Sequence, residues 1–214
     1  RHIFILPALL AAMACSDDSP VTPDTPDTPE GPDITNSVEK LVSIDAGQTF
    51  QTIAGFGASD CWSPAFVGKS WTSHRAGITE LLFSSEIVGG KPKGIGLSQW
   101  RVNLGGGSAA QGEACGIEDK SRRAESYLTD DLTYDWTRCE GQRYFMDRAK
   151  ELGCNNFVLF SNTPPVQYTY NGKGFSARGG LSNLKPEHYG DFAGYMADVA
   201  ARYTGEGYHI SHIS

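Results

Sequence analysis

The sequence predicts an α/β chain: a parallel sheet whose strands alternate with crossover helices, and within that class the first half of a (β/α)8 barrel. Three observations carry this. Short apolar runs ("QWRVNL", "NNFVLFS", "YHISHIS") alternate with segments of helical period, the signature of parallel strands joined by helices. Long loops follow the second and third strands, and barrels build their sites at those C-terminal strand ends. The glycine-rich "GFGASD" and "NLGGGS" do not match G-x-G-x-x-G, and each reads as running into a loop rather than a helix. That argues against a doubly wound nucleotide fold. A barrel needs roughly 250 residues, so four strands are half of one.

The elements follow in order. "KLVSIDAG" reads as a strand over 41–46 ending in a turn, and "FQTIAGFGAS" as a second strand running into glycines. In "SHRAGITELLFS", Ile78, Leu81 and Leu82 share one helical face. "GLSQWRVNLGGG" is a strand closed by three glycines, followed by a polar loop to about Trp136. Thr137 and Glu140 have the spacing of a capping box, Phe145, Ala149 and Leu152 form a core stripe, and Gly153 suits a C-terminal cap. "NNFVLFS" is apolar throughout, as strands covered on both faces are. Pro186 fits the first turn of a helix carrying Phe192, Met196, Val199 and Tyr203. "YHISHIS" alternates polar and apolar residues as a half-buried strand does.

The chain has 214 residues, 39% hydrophobic and 20% charged, with a net charge of −7. That charge is local: seven acids and no Lys or Arg lie between 16 and 39, leaving 17 basic and 18 acidic residues over 40–214. A near-neutral domain without a basic stripe excludes nucleic acid, whose binding rests on phosphate neutralisation. "RHIFILPALLAAMAC" has a basic start, a short apolar run and small residues before Cys15. It reads as a secretory signal, too short to span a membrane. Cys15 after Ala-Met-Ala resembles a lipoprotein cleavage and lipidation site, although Ala12 stands where Leu is usual. "CSDDS" resembles the acidic export tag of surface lipoproteins in Bacteroides-like bacteria, so the expected location is the outer membrane or cell surface. Membrane contact is then through the lipid anchor alone. "SPVTPDTPDTPEGPD" repeats Thr-Pro-Asp and reads as an extended tether over 16–37, with the folded domain at 38–214. Cys61, Cys115, Cys139 and Cys154 allow three disulfide pairings, or remain free thiols. No C-x-x-C pair or His cluster suggests a metal site.

"QTIAGFGASDCW", "LSQWRVNLGGG", "SNTPPVQYTYNGKG" and "ARGGLSNLKPEHYGDFAGYMADVAARY" together resemble the N-terminal half of glycoside hydrolase family 30, most closely its endo-β-1,6-galactanase-like branch. The resemblance covers about 40–214. It implies a TIM barrel with a β-sandwich beside it, to which the strand over 41–46 contributes. It also implies retaining hydrolysis of a β-linked polysaccharide by two glutamates. One lies in an Asn-Glu-Pro motif at the end of strand four, the other at the end of strand seven. "YHISHIS" is strand four, so both glutamates fall beyond Ser214, and this stretch is expected to be inactive alone. No cofactor or metal is implied, and the full-length protein is expected to be a monomer.

Half of a sugar pocket is expected here. Asp60, past strand one, is a candidate acceptor of sugar hydroxyls, or a helix or turn cap. Trp62 either stacks on a sugar ring or is a buried tryptophan. Arg101, in an apolar strand, needs a carboxylate partner; the resemblance supplies the barrel-mouth glutamate, a structural ion pair being the other reading. Asn103 points the same way as Arg101. Relatives carry Trp after Pro164–Pro165; Val166 and Gln167 stand there instead, leaving Tyr168 or Tyr170 as the aromatic platform. Glu113, Glu118 and Asp119 share the loop after strand two, where charges serve solvation. A non-catalytic glycan-binding lipoprotein is the alternative to an enzyme, and a xylanase- or glucosylceramidase-like specificity the alternative to galactanase.

Overall fold

A computed structural model describes residues 43–214. The signal, Cys15 and the Thr-Pro-Asp tether lie outside the described residues. The chain divides into two compact units, 1–50 and 51–214. In the described part of the first, Ser43, Ile44 and Asp45 form no strand, and Ala46 and Gly47 make the expected turn, closed by Gly47 N donating to Asp45 Oδ1 at 2.9 Å; positions 41 and 42 of the expected strand lie outside the described residues.

The second unit is built on a four-stranded parallel sheet. Strands β1 (Gly57–Ser59), β4 (Gln99–Asn103), β5 (Asn156–Phe160) and β6 (Ile210–Ile213) lie side by side in chain order. The order never reverses, so the topological switch of a doubly wound sheet is absent among these strands. A two-residue hairpin, β2 (Ile87–Val88) and β3 (Lys91–Pro92), stands apart. Strand one is shorter than its sequence suggests. Phe50, Ile53 and Phe56 are exposed, and only Gly57–Ser59 pairs with Gln99–Arg101.

Four helices connect the strands: α1 (Ser63–Ser70), α2 (Arg75–Phe83), α3 (Glu140–Glu151) and α4 (Tyr189–Gly205). Helix α1 corrects the expectation of a loop after "GFGASD". Pro64 sits in its first turn, where a missing N–H costs nothing. In α2, Ile78 and Leu82 pack on the core while Leu81 is exposed. Pro186 begins a 3-10 turn over Pro186–His188 that leads into α4.

The period-2 strands and period-3.6 helices meet in one core. Trp100, Val102, Phe157 and Leu159 point to one face of the sheet, where Phe83, Phe145, Met146, Ala149, Tyr195, Val199 and Tyr203 cover them. On the other face Asn103 and Phe160 are buried, Gln99 and Val158 are half-buried and Arg101 is exposed, so among the described residues that face is covered only in part, less than the apolar run "NNFVLFS" suggested. Tyrosines join the long loop before α3 to α4. Tyr127 and Tyr203 hydroxyls pair at 2.8 Å, and Ser126 and Tyr195 at 3.1 Å.

The start of α3 differs from the expected capping box. Thr137 spends its hydroxyl and N–H on Asp135, at 2.6 and 3.0 Å. The N-cap is Cys139, whose N–H is accepted by the distant Glu125 at 3.1 Å; Glu125 also pairs with Lys69 of α1 at 2.6 Å. A carboxylate at a helix N-terminus is favourable wherever it comes from in the chain. The other end follows expectation: Gly153 follows α3 with φ 99°. No described helix is long and apolar enough to cross a membrane.

Candidate functional site

The loops at the C-terminal ends of β1, β4 and β5 enclose a cleft of about 360 Å³. Trp62 enters from β1, Ser108, Ile117 and Arg122 from the loop after β4, and Asn162, Thr163 and Phe175 from the loop after β5. Close backbone approach makes this possible. A Cβ on Gly105 would lie 2.0 Å from the Glu125 carbonyl, so only glycine lets that loop fold back over β4.

The backbone at the end of β1 is strained. Cys61 and Trp62 have φ of 42° and 80°, left-handed values costing on the order of 1–3 kcal/mol each for residues with a side chain. This turn brings Trp62, half-buried, to the cleft wall. The Arg122 guanidinium sits over its ring, 5.1 Å from the centroid.

Asp60, two residues before Trp62, is buried, 1% exposed. Its carboxylate accepts the Asn103 backbone N–H at 3.1 and 3.2 Å and Gln142 Nε2 at 2.8 Å. The same Nε2 donates to the Asn103 carbonyl at 2.8 Å. Burial pushes the Asp60 carboxyl up to about 6, against the opposing pull of Gln142 and the backbone donors. Asp60 thus spends its carboxylate on protein donors: it fixes the end of β4 and, through the Trp62 backbone N–H, the turn that follows β1. Asn103 is buried, and its Oδ1 has no hydrogen-bond donor among the described residues. Gln142 was not anticipated. The available signal was a lone amide on the α3 stripe shared with Phe145, Met146 and Ala149.

Arg101 corrects the expectation of a costly charge in an apolar strand. Its neighbours Trp100 and Val102 turn into the core, and Arg101 turns to the other face. There its guanidinium stacks on Phe160, 3.8 Å from the ring centroid. No ion pair holds it among the described residues.

Tyr168 ends a 3-10 turn after Pro164–Pro165 and is 7% exposed, stacked on His188 with centroids 4.9 Å apart. It pins the loop. Tyr170, 48% exposed with Arg178 over its ring at 4.0 Å, is the tyrosine that meets solvent.

Glu113 and Asp119, in the loop after β4, do not have the environment of a proton donor. Arg123 holds Glu113 below the usual carboxylate range by hydrogen bonds and charge, and Ser121 does the same to Asp119 by two hydrogen bonds. A retaining pair needs one carboxyl raised. All four described cysteines are unpaired thiols: Cys61 exposed, Cys115, Cys139 and Cys154 buried. No group of three His, Cys, Asp or Glu suited to a metal occurs among the described residues.

Residues 39–214 match the profile described as O-Glycosyl hydrolase family 30. The chain belongs to that family. An endo-beta-1,6-galactanase from Hypocrea rufa is 27% identical over 174 residues, covering 74% of this chain and 35% of the galactanase. A conserved exported protein from Bacteroides fragilis superposes with TM-score 0.73 at 36% identity, over 79% of this chain and 35% of that one. SrfJ from Salmonella typhimurium, at TM-score 0.54 and 18% identity over 76% of this chain and 34% of SrfJ, shares the fold. The chain therefore spans about a third of the length of these relatives.

Proposed function

We propose that this chain is the N-terminal part of a secreted, retaining β-glycoside hydrolase acting on a polysaccharide of the β-1,6-galactan type, tethered at the cell surface through Cys15. The observation that carries the reading is the cleft at the C-terminal ends of parallel strands in a family 30 chain. That is where (β/α)8 enzymes assemble their sites from loops of several strands. The partly covered sheet face bearing Arg101 suits the lumen of a barrel whose first four strands are β1, β4, β5 and β6. The galactanase relative supports the substrate class, and the exported Bacteroides relative supports export.

In the retaining reaction one carboxyl protonates the leaving oxygen while a second, about 5 Å away, attacks the anomeric carbon. Both glutamates are assigned beyond Ser214. The residues here contribute binding. Asn103, with an acceptor to spare, takes a sugar hydroxyl, and Asp60 with Gln142 holds Asn103 in position. Arg101 faces the lumen and meets the carboxylate of the second barrel half. Tyr170 offers the aromatic surface of the loop after β5.

The test is direct. Full-length protein should release reducing sugar from β-1,6-galactan, with xylan a poorer substrate, and residues 43–214 alone should release none. Full-length protein that binds galactan without cutting it would replace hydrolysis with carriage, and cleavage of xylan but not galactan would move the substrate class.

A further inference from the structure

Within the loop after β5, the stretch 171–182 leaves and returns through a paired base. Tyr170 N–H donates to the Asn183 carbonyl at 2.9 Å, and Lys185 N–H to the Tyr168 carbonyl at 3.0 Å. Above that base one buried amide organises the turn. Asn183 Nδ2 donates to Asn171 Oδ1 at 2.7 Å, to the Phe175 carbonyl at 2.9 Å and to the Lys173 carbonyl at 3.1 Å. Three acceptors on one side fix which end of the amide faces them, and its two hydrogens are shared among them. Asn171 Nδ2 gives the Phe175 carbonyl a second donor, at 2.9 Å. The loop after β4 braces the same turn from outside. Gln111 Nε2 donates to the Gly172 carbonyl at 2.7 Å, and Lys173 Nζ to the Ala114 carbonyl.

What the bracing places is Phe175. Its ring lines the cleft and is 43% exposed. One edge rests on Gly116, where a Cβ would lie 3.4 and 3.5 Å from Phe175 Cε1 and Cζ. The other aromatics of this region are occupied: Trp62 carries Arg122, Tyr170 carries Arg178, and Tyr168 is buried against His188. Among the described residues no cation and no second ring stands on Phe175. A fixed apolar ring facing water in a cleft gains free energy when an apolar surface covers it. Sugar rings carry such surfaces in their C–H bonds, and galactose carries a broad one. Its axial C4 hydroxyl points to one side, leaving the hydrogens of C3, C4 and C5 together on the other. Glucose, with that hydroxyl equatorial, lacks this patch.

We propose that Phe175 is a specificity-determining residue that stacks on the apolar face of a galactose unit, and that Asn183 is the positioning residue that aims it. This rests on the hydrolase reading above and gives it a reason to favour galactan over glucan.

The experiment compares full-length protein on β-1,6-galactan and β-1,6-glucan, polymers that differ at C4 alone, with glucan scored as an inhibitor where it is not cut. Wild type should prefer galactan. Phe175→Ala removes no core contact and should shrink that preference by about two- to tenfold, the range of one aromatic contact, mainly through KM. Phe175→Tyr should keep most of it. Asn183→Asp turns the three-way donor into an acceptor and should shrink the preference similarly. Combined with Phe175→Ala it should lose no more selectivity than Phe175→Ala alone, because the two act through one ring. If Asn183→Asp does not fold, the exposed Asn171→Asp, which removes the second donor to the Phe175 carbonyl, takes its place in the cycle. A preference that Phe175→Ala leaves unchanged overturns the stacking role, and selectivity losses that add overturn the positioning role. If wild type cleaves neither polymer, the hydrolase reading fails by itself. Calorimetric binding of the two polymers then decides Phe175: tighter binding of galactan, lost in Phe175→Ala, supports it, and equal or absent binding overturns it.

Discussion

Gln142 of α3 and Asp60 beyond β1 meet across 82 positions of sequence through one hydrogen bond of 2.8 Å. The same amide nitrogen reaches the Asn103 carbonyl at 2.8 Å, so one NH2 group ties a helix to the ends of two strands. Gln142→Leu keeps the volume and removes both donors, leaving the buried Asp60 carboxylate with only backbone donors and the buried Asn103 carbonyl without this partner, at roughly 1–3 kcal/mol each. The Asp60 carboxyl should rise further, because Gln142 is the strongest of the contacts that lower it. Urea denaturation of the full-length protein, with a carbon-13 titration of Asp60, measures both effects. Unchanged stability together with an unmoved titration would remove Gln142 from the network.

The raised Asp60 carboxyl also makes stability depend on pH. Its value moves from an ordinary 3.8 to about 6 on folding, so the folded state holds this proton more tightly than the unfolded state. Its contribution is complete below about pH 4 and is lost as pH rises through 6. At 1.36 kcal/mol per unit, the loss is about 3 kcal/mol. In full-length protein, wild type should lose about that much relative to Asp60→Asn between pH 4 and pH 7. Other titrating groups cancel in the difference. A difference that is flat, or that grows in favour of wild type as pH rises, contradicts the assignment.

What was legible in the sequence was whatever depends on period. β4, β5 and β6, and helices α2, α3 and α4, follow from alternation or 3.6-residue stripes; Val199 and Tyr203 of the α4 stripe are fully buried, whereas Leu81 of α2 and Ile213 of β6 are exposed. Helix α1 was missed because "SPAFVGKS" is too short to display a stripe, and its start depends on left-handed backbone at Cys61 and Trp62 that no composition announces. The site residues were found as types but not as roles. Arg101 and Trp62 line open surfaces, whereas Asp60 turned out to be sealed. That distinction depends on Gln142, and a contact between such distant positions has no local signature.

The crossing of α1 and α3 depends on two glycines. A Cβ on Gly141 would stand 2.0 Å from the Ala65 carbonyl oxygen, and one on Gly68 would stand 2.1 Å from the Gly141 carbonyl oxygen. Both obstacles are backbone, which cannot rotate aside. Gly141→Ala should therefore destabilise by about 1–3 kcal/mol, despite the better helix propensity of alanine. Gly194 in α4 is the contrasting case: it is exposed, and nothing lies within 4 Å of its added Cβ. Gly194→Ala should stabilise by roughly 0.5–1 kcal/mol. Melting curves of the two variants should move in opposite directions; a shift of the same sign in both would show that propensity, not contact, governs these helices.

The described sheet has two free edges, at β1 and β6. β6 pairs on one side only, through Phe157–Ile210, Val158–His212 and Leu159–Ile213, and leaves Ile213 47% exposed. Unpaired strand edges template pairing with other chains, and the face bearing Arg101 is covered only in part among these residues. Residues 43–214 produced alone should therefore self-associate, seen as a concentration-dependent mass in light scattering and a broad melt. Supplying the rest of a family 30 barrel as a separate chain should restore a single soluble species, because it covers both edges at once. A monomeric 43–214 with a sharp cooperative melt would mean that the four strands close their core unaided, and the half-barrel account would have to be abandoned.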